Sequence, residues 1–234
     1  MRFKFVFVSK DSDFKMPRDA MDGLDRADAL YFPNNVEPLA KIYNKVLDED
    51  KVSDFVLLVH ADVSFDLVGV MDQLEGLGGK YDLVGMCGCS RISVGQSPLN
   101  WFCGSIPYPG DRWGCVTHGE LGGQTAFFSQ HHPDVADHEV ACIDGLCIAF
   151  SRNAIDAGLR FDESLSPFDF YDTDISMQAV LKYKMKVGVI VRKELQHWSV
   201  GKSILSQDFL KNEEAFRAKW GFQRRQSPSK RVKS

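Results

Sequence analysis

Apolar and polar positions change period repeatedly along the first 90 residues. The start, Met1-Arg2-Phe3-Lys4-Phe5-Val6-Phe7-Val8-Ser9, sets charge between aromatics and predicts a strand over 3–8. A second, short strand is expected at 29–32, followed by a turn at Pro33-Asn34-Asn35. Over 37–48 the period lengthens to that of a helix, with Leu39, Ile42, Tyr43 and Val46 on one stripe. An unbroken apolar run at 55–59 predicts a buried central strand over 54–59. A second amphipathic helix is expected at 65–77, stopped by Gly78-Gly79, and a further strand at 81–86. Strands and helices alternating in this order imply right-handed crossovers and a mainly parallel sheet.

From about 87 to 139 the pattern dissolves into Gly, Pro, Trp and His, and loops with short strands are expected near a ligand. Regular patterning returns as an apolar run at 140–151 broken by Asp144-Gly145, a helix at 173–183, a buried strand at 187–191 and a charged helix at 207–220. No repeat, low-complexity segment or linker interrupts the chain, so 1–222 reads as one domain and 223–234 as a basic tail.

Composition narrows the function classes. The chain has 234 residues, 44% of them hydrophobic, enough for a sizeable core. Its formal net charge of −4 argues against a general nucleic-acid binder. Positive charge gathers in the tail from Arg224, which carries five cations and no acid. That tail is either a solvated terminus or a foot on anionic lipid. No stretch approaches the ~20 apolar residues of a membrane span, and the start lacks a signal-peptide core. Six cysteines without paired CxxC spacing read as reduced and mostly buried. The expectation is a cytoplasmic protein, with the inner face of a membrane as the site the basic tail suggests.

Four segments carry candidate chemistry. The strand at 54–59 stops at His60-Ala61-Asp62, and positions i and i+2 of an extended chain point the same way. Asp62 offers oxygen to Mg²⁺ or Mn²⁺, and imidazole suits Mn²⁺ better; Asp62 could equally cap the following helix. Phe168-Asp169-Phe170-Tyr171-Asp172-Thr173-Asp174 crowds three carboxylates at a helix start, more than capping needs. Aromatic neighbours can raise a carboxyl pKa and make a general base. Gln196-His197-Trp198 with Lys202 could supply a metal ligand and a phosphate contact, or a loop histidine bonded to backbone. Asp144-Gly145 inside an apolar run is a ligand-facing bend or a simple hairpin turn. Aromatics from Trp101 to Trp113 suit sugar stacking or a core under a loop. His131, His132 and His138 read as a polar, mobile loop rather than a metal cluster.

In this order the segments resemble the GT-A-fold glycosyltransferases, specifically the family 2-like inverting enzymes, over roughly 3–202. The resemblance implies an α/β, GT-A (Rossmann-like) fold: a central, mainly parallel mixed sheet flanked by helices. It implies transfer of a sugar from a nucleoside-diphosphate sugar, expected to be UDP-linked, to a glycan hydroxyl. The family's metal-binding D-x-D motif corresponds here to His60-Ala61-Asp62, with His197 as the late metal ligand and Mn²⁺ or Mg²⁺ as cofactor. Asp172 matches the general base, with Tyr171 in place of the preceding acid. Val8, Ser9, Lys10 and Asp11 match the loop that cradles base and ribose, and Tyr43, Asn44, Asp62 and Lys202 complete the implied donor site. Asp144, Gly145, Asp174, Trp101 and Tyr171 fall where acceptor or sugar is bound. Two other readings stand beside it. A nucleotidyltransferase usually carries a Gly-rich basic loop after the first strand, which the acidic 9–13 lacks. A non-catalytic sugar or nucleotide-sugar binding module would need the pocket and no base.

Overall fold

The computed structural model describes residues 1–10, 25–91, 111–119, 125–165, 168–199 and 207–222. Asp11, Trp101, Lys202 and the tail lie outside the described residues. Strands β1 (Phe3–Val8), β2 (Ala27–Phe32) and β3 (Phe55–His60) pair in parallel at one side of a mixed sheet. Beyond β3 come β11 (Cys147–Ser151), β5 (Leu83–Gly85), β12 (Val187–Ile190) and β9 (Asp137–Glu139). β11 runs antiparallel to both neighbours, and β12 is parallel to β5 but antiparallel to β9.

The two-residue period of β1 and β3 divides the core. Phe3, Phe5, Phe7, Phe55, Leu57 and Val59 face Leu67, Val70, Met71 and Leu74 of α2 (Leu67–Gly76). Val6, Val8, Val56 and Leu58 face Leu39, Ile42, Tyr43 and Val46 of α1 (Leu39–Glu49), together with α3 (Arg152–Asp156) and α4 (Tyr171–Met177). Helix α1 starts two residues later than the stripe predicts. Glu37 precedes Pro38, and a residue before proline is disfavoured from the helical region. Helix α4 starts two residues earlier than expected and continues as a π-helical turn over Gln178–Lys182. Its entry residue, Phe170, has φ 70°, a left-handed conformation rare for a bulky side chain. Stacking on Phe216 and contact with Phe209 of α5 (Gln207–Trp220) hold it there.

One expectation is corrected. The middle of the chain holds two substantial strands, β7 (Arg112–Gly119) and β8 (Thr125–His131), paired as a hairpin. Gly114 sits within β7 at φ 116°, and a Cβ there would come 2.5 Å from the Met86 carbonyl oxygen. That glycine hides the strand's alternation while letting β7 cross closely over 86–87. His132 and His138 are likewise not a loose loop, since both stack on Trp113.

A second sheet contains β10 (Cys142–Ile143), β6 (Gly88–Cys89), β7, β13 (Gln196–His197) and β4 (Val63–Ser64), with β8 on β7. Four chain segments pass from one sheet to the other within a few residues: β3 into β4, β5 into β6, β9 into β10, and β10 into β11. Asp62 and Asp144 lie in two of these changeovers. Among the described residues, no helix is long and apolar enough to cross a membrane.

Candidate active site

Register brings the first cluster together. β1 and β3 end side by side, with Val8 opposite His60. Three residues on, β4 pairs antiparallel with β13, Val63 opposite His197, and the Trp198 N–H donates to the Asp62 carbonyl at 2.7 Å. His60, Asp62 and His197 thereby present one ligand atom each, all within 4.8 Å of one another. His197 Nε2 stands 3.4 Å from Asp62 Oδ2. Ligands facing each other across a small divalent ion are about 4.2 Å apart, so the cluster fits an ion after slight closure. One carboxylate and two imidazoles favour Mn²⁺ over Mg²⁺. Burial pulls His60 down to about 4, which keeps it neutral, as a ligand must be. Burial opposes ionisation of Asp62, but the His197 contact and nearby His60 outweigh it and hold the carboxyl below its usual range. Asp62 does not cap α2; Asp66 occupies that position.

A second cluster adjoins the first. The Tyr171 hydroxyl lies 2.5 Å from His60 Nε2 and donates to the Gly145 carbonyl at 3.3 Å. The Gly145 N–H donates to Asp172 Oδ2 at 3.0 Å, and Thr173 N–H to Oδ1 at 2.7 Å. A chain of contacts thus runs from His60 through Tyr171 and Gly145 to Asp172. Burial, and then the neighbouring charge of Asp144, push Asp172 up to about 7. Asp144 is itself raised by burial, and it accepts from the Leu146 N–H at 2.9 Å, which shapes the bend between β10 and β11. Ser176 fastens α4 to β10, donating to the Asp172 carbonyl and accepting from the Ile143 N–H. A buried carboxyl poised near neutrality beside a metal-capable cluster can accept a proton from a substrate hydroxyl.

Gly145 admits no side chain. A Cβ there would fall 2.1 Å from the Tyr171 hydroxyl oxygen, on a ring wedged among Tyr43, Phe161 and Phe168. Gly145→Ala is therefore expected to displace Tyr171 and the Asp172 contact together. Turnover should fall at least tenfold with modest loss of thermal stability; wild-type turnover would contradict this placement.

The sequence profile of the "Glycosyltransferase like family" matches residues 30–220. The chain belongs to that family. No curated protein sequence matches it. Among solved structures it is similar to GalNAc-T7, crystallised with UDP, GalNAc and Mn²⁺, at TM-score 0.50 and 11% identity, over 93% of this chain and 48% of that one. It also matches A197 from STIV (TM-score 0.40, 16% identity, 88% and 99% coverage). TarS 1–349 from S. aureus matches at TM-score 0.43 and 13% identity, over 100% and 76%. The architecture is that of a GT-A glycosyltransferase.

Within this glycosyltransferase, several expected donor and acceptor residues are engaged elsewhere. Asn44 is buried and bonded to Phe161 at both backbone N–H and carbonyl, and to Glu163. Tyr43, 1% exposed, packs beneath Tyr171 and Phe161. Both support the site from below, because the helical stripe that carries them is the face that packs on the sheet. Asp174, expected at the acceptor, is fully buried, and its carboxylate accepts from Gln178, Lys219 and Trp220. Val8 and Ser9 lie beside His60 at the strand ends, and Lys10 is exposed just beyond. One neighbour went unread in the sequence: His118 of β7, opposite His197, with Nδ1 3.2 Å from His197 Nδ1.

Proposed function

We propose that this glycosyltransferase is an inverting enzyme that moves a sugar from a nucleoside-diphosphate donor, UDP-linked, to a hydroxyl of a glycan acceptor. The observation that carries this reading is the adjacency of two centres: the His60–Asp62–His197 trio and the base-poised Asp172, linked through Tyr171 and Gly145. Asp62, His197 and His60 would hold Mn²⁺ or Mg²⁺, which supplies neutralisation of the charge that builds on the leaving diphosphate. Asp172 takes the acceptor's proton as its oxygen attacks the anomeric carbon from the face opposite the diphosphate. Its raised pKa makes it a stronger base than a surface carboxylate. The N–H groups of Gly145 and Thr173 fix its orientation. Val8, Ser9 and Lys10 border the nucleotide, and Asp144, Gly145 and Tyr171 border the sugars. The UDP and Mn²⁺ of the GalNAc-T7 structure favour these choices of nucleotide and ion.

The test is NMR of a nucleotide-sugar panel incubated with the protein and Mn²⁺, with water or added glycans as acceptor. One UDP-sugar should be consumed, UDP released, and the product anomer should be opposite to the donor's. Retained configuration would overturn the single displacement. With pyrophosphate added, conversion of a nucleotide sugar to nucleoside triphosphate and sugar 1-phosphate would indicate a nucleotidyltransferase, and binding without turnover on any acceptor a binding module.

A further inference from the structure

We propose that His118 is a positioning residue for the ion: it holds His197 in the tautomer that turns an Nε2 lone pair toward Asp62. This rests on the reading of His60, Asp62 and His197 as metal ligands. The parallel pairing of β7 with β13 sets His118 directly beside His197. The two Nδ1 atoms are 3.2 Å apart and the rings are nearly perpendicular, centroids 5.2 Å apart. Two bare lone pairs at that distance would repel, so one proton lies between them.

Two arrangements are possible. If His118 donates, neutral His197 carries its proton on Nε2, pointing at Asp62, and cannot ligate. If His197 donates from Nδ1, its Nε2 is a lone pair 3.4 Å from Asp62 Oδ2, directed into the trio. Ligation selects the second: once His197 gives its Nε2 lone pair to an ion beside Asp62, its remaining proton sits on Nδ1, and His118 Nδ1 at 3.2 Å is placed to accept it. His118 is 6% exposed and lies outside the trio of ligand atoms, so it acts through His197. β7 is pinned by β8 on one side and β13 on the other, which fixes the imidazole relative to its partner. Outer-shell partners of this kind orient a ligating histidine and raise its basicity.

The experiment is calorimetric titration of Mn²⁺ into wild type, His118→Phe and His118→Asn, each checked by thermal unfolding without metal. His118→Phe keeps a ring and removes the acceptor; Mn²⁺ affinity should fall about 10–100-fold. His118→Asn offers an amide oxygen to the His197 Nδ1–H and should recover most of the loss. Equal affinity in His118→Phe and wild type, or an Asn variant as weak as Phe, overturns the inference. Wild type that binds no Mn²⁺ overturns the metal reading beneath it. Should the Phe variant not fold, ¹⁵N NMR of wild type with Zn²⁺ as a diamagnetic probe decides. Protonated Nδ1 on His197 is expected, and protonated Nε2 contradicts the proposal.

Discussion

Asp172→Asn is expected to lower turnover by about 10²–10⁴-fold while the affinity for UDP stays within a few-fold of wild type. The asymmetry follows from where the carboxylate sits. Its oxygens face Gly145 and Thr173 backbone N–H groups, and the metal-capable trio is separated from it by the Tyr171 bridge. Removing the base therefore removes an interaction made as the acceptor loses its proton, and leaves the donor's contacts in place. The pH profile carries the same signature. A base must be ionised, and burial with Asp144 nearby pushes Asp172 up to about 7, so kcat/KM should fall as pH drops through that region. Stability moves the other way. The unfolded side chain ionises near pH ~4 and the folded one only near neutrality. Between those values this group makes folding less favourable as pH rises, and Asp172→Asn should flatten that slope. Near-normal transfer by the Asn variant, or an acid limb unchanged in position, would remove Asp172 from its role.

Asp62→Asn is expected to fail at a different step. It preserves shape and removes the only carboxylate among the three clustered ligand atoms. Mn²⁺ affinity should fall by at least the ~10–100-fold that outer-shell changes cost, and Mn²⁺-dependent UDP binding should fall with it. His60 and His197 remain but bring no negative charge. Asp62 is also held below the usual carboxylate range, so in wild type it contributes stability that is present above pH ~4 and is lost as pH falls through its folded value. Calorimetry on the two variants separates the roles: Asp172→Asn binds nucleotide and does not turn over, whereas Asp62→Asn does neither. A single shared phenotype would contradict the division of labour.

Local pattern carried much of this architecture. β1 occupies 3–8 and α5 occupies 207–220, as their residue patterns predict. The run into His60-Ala61-Asp62 and the Asp144-Gly145 bend were legible because each breaks a buried strand where the chain changes sheet. What the sequence hid was long-range. Three acids at 169–174 exceed capping, but the surplus at Asp174 is matched by Lys219 and Trp220, 45 and 46 residues later. Asn44 resembles a donor contact only until Phe161, 117 residues away, takes both ends of its amide. His118 carries no local mark; its importance arises from the pairing of two strands 79 residues apart. β7 itself was obscured by Gly114, needed for a close crossing rather than a turn.

If His60, Asp62 and His197 hold a divalent ion that binds the diphosphate of a nucleotide sugar, UDP binding depends on that ion. The most direct test is the UDP affinity of the wild-type protein measured by calorimetry with Mn²⁺ and again with a chelator. Binding in Mn²⁺ that weakens at least tenfold in the chelator is the expected result. Equal affinity under both conditions, or no UDP binding in either, would contradict it.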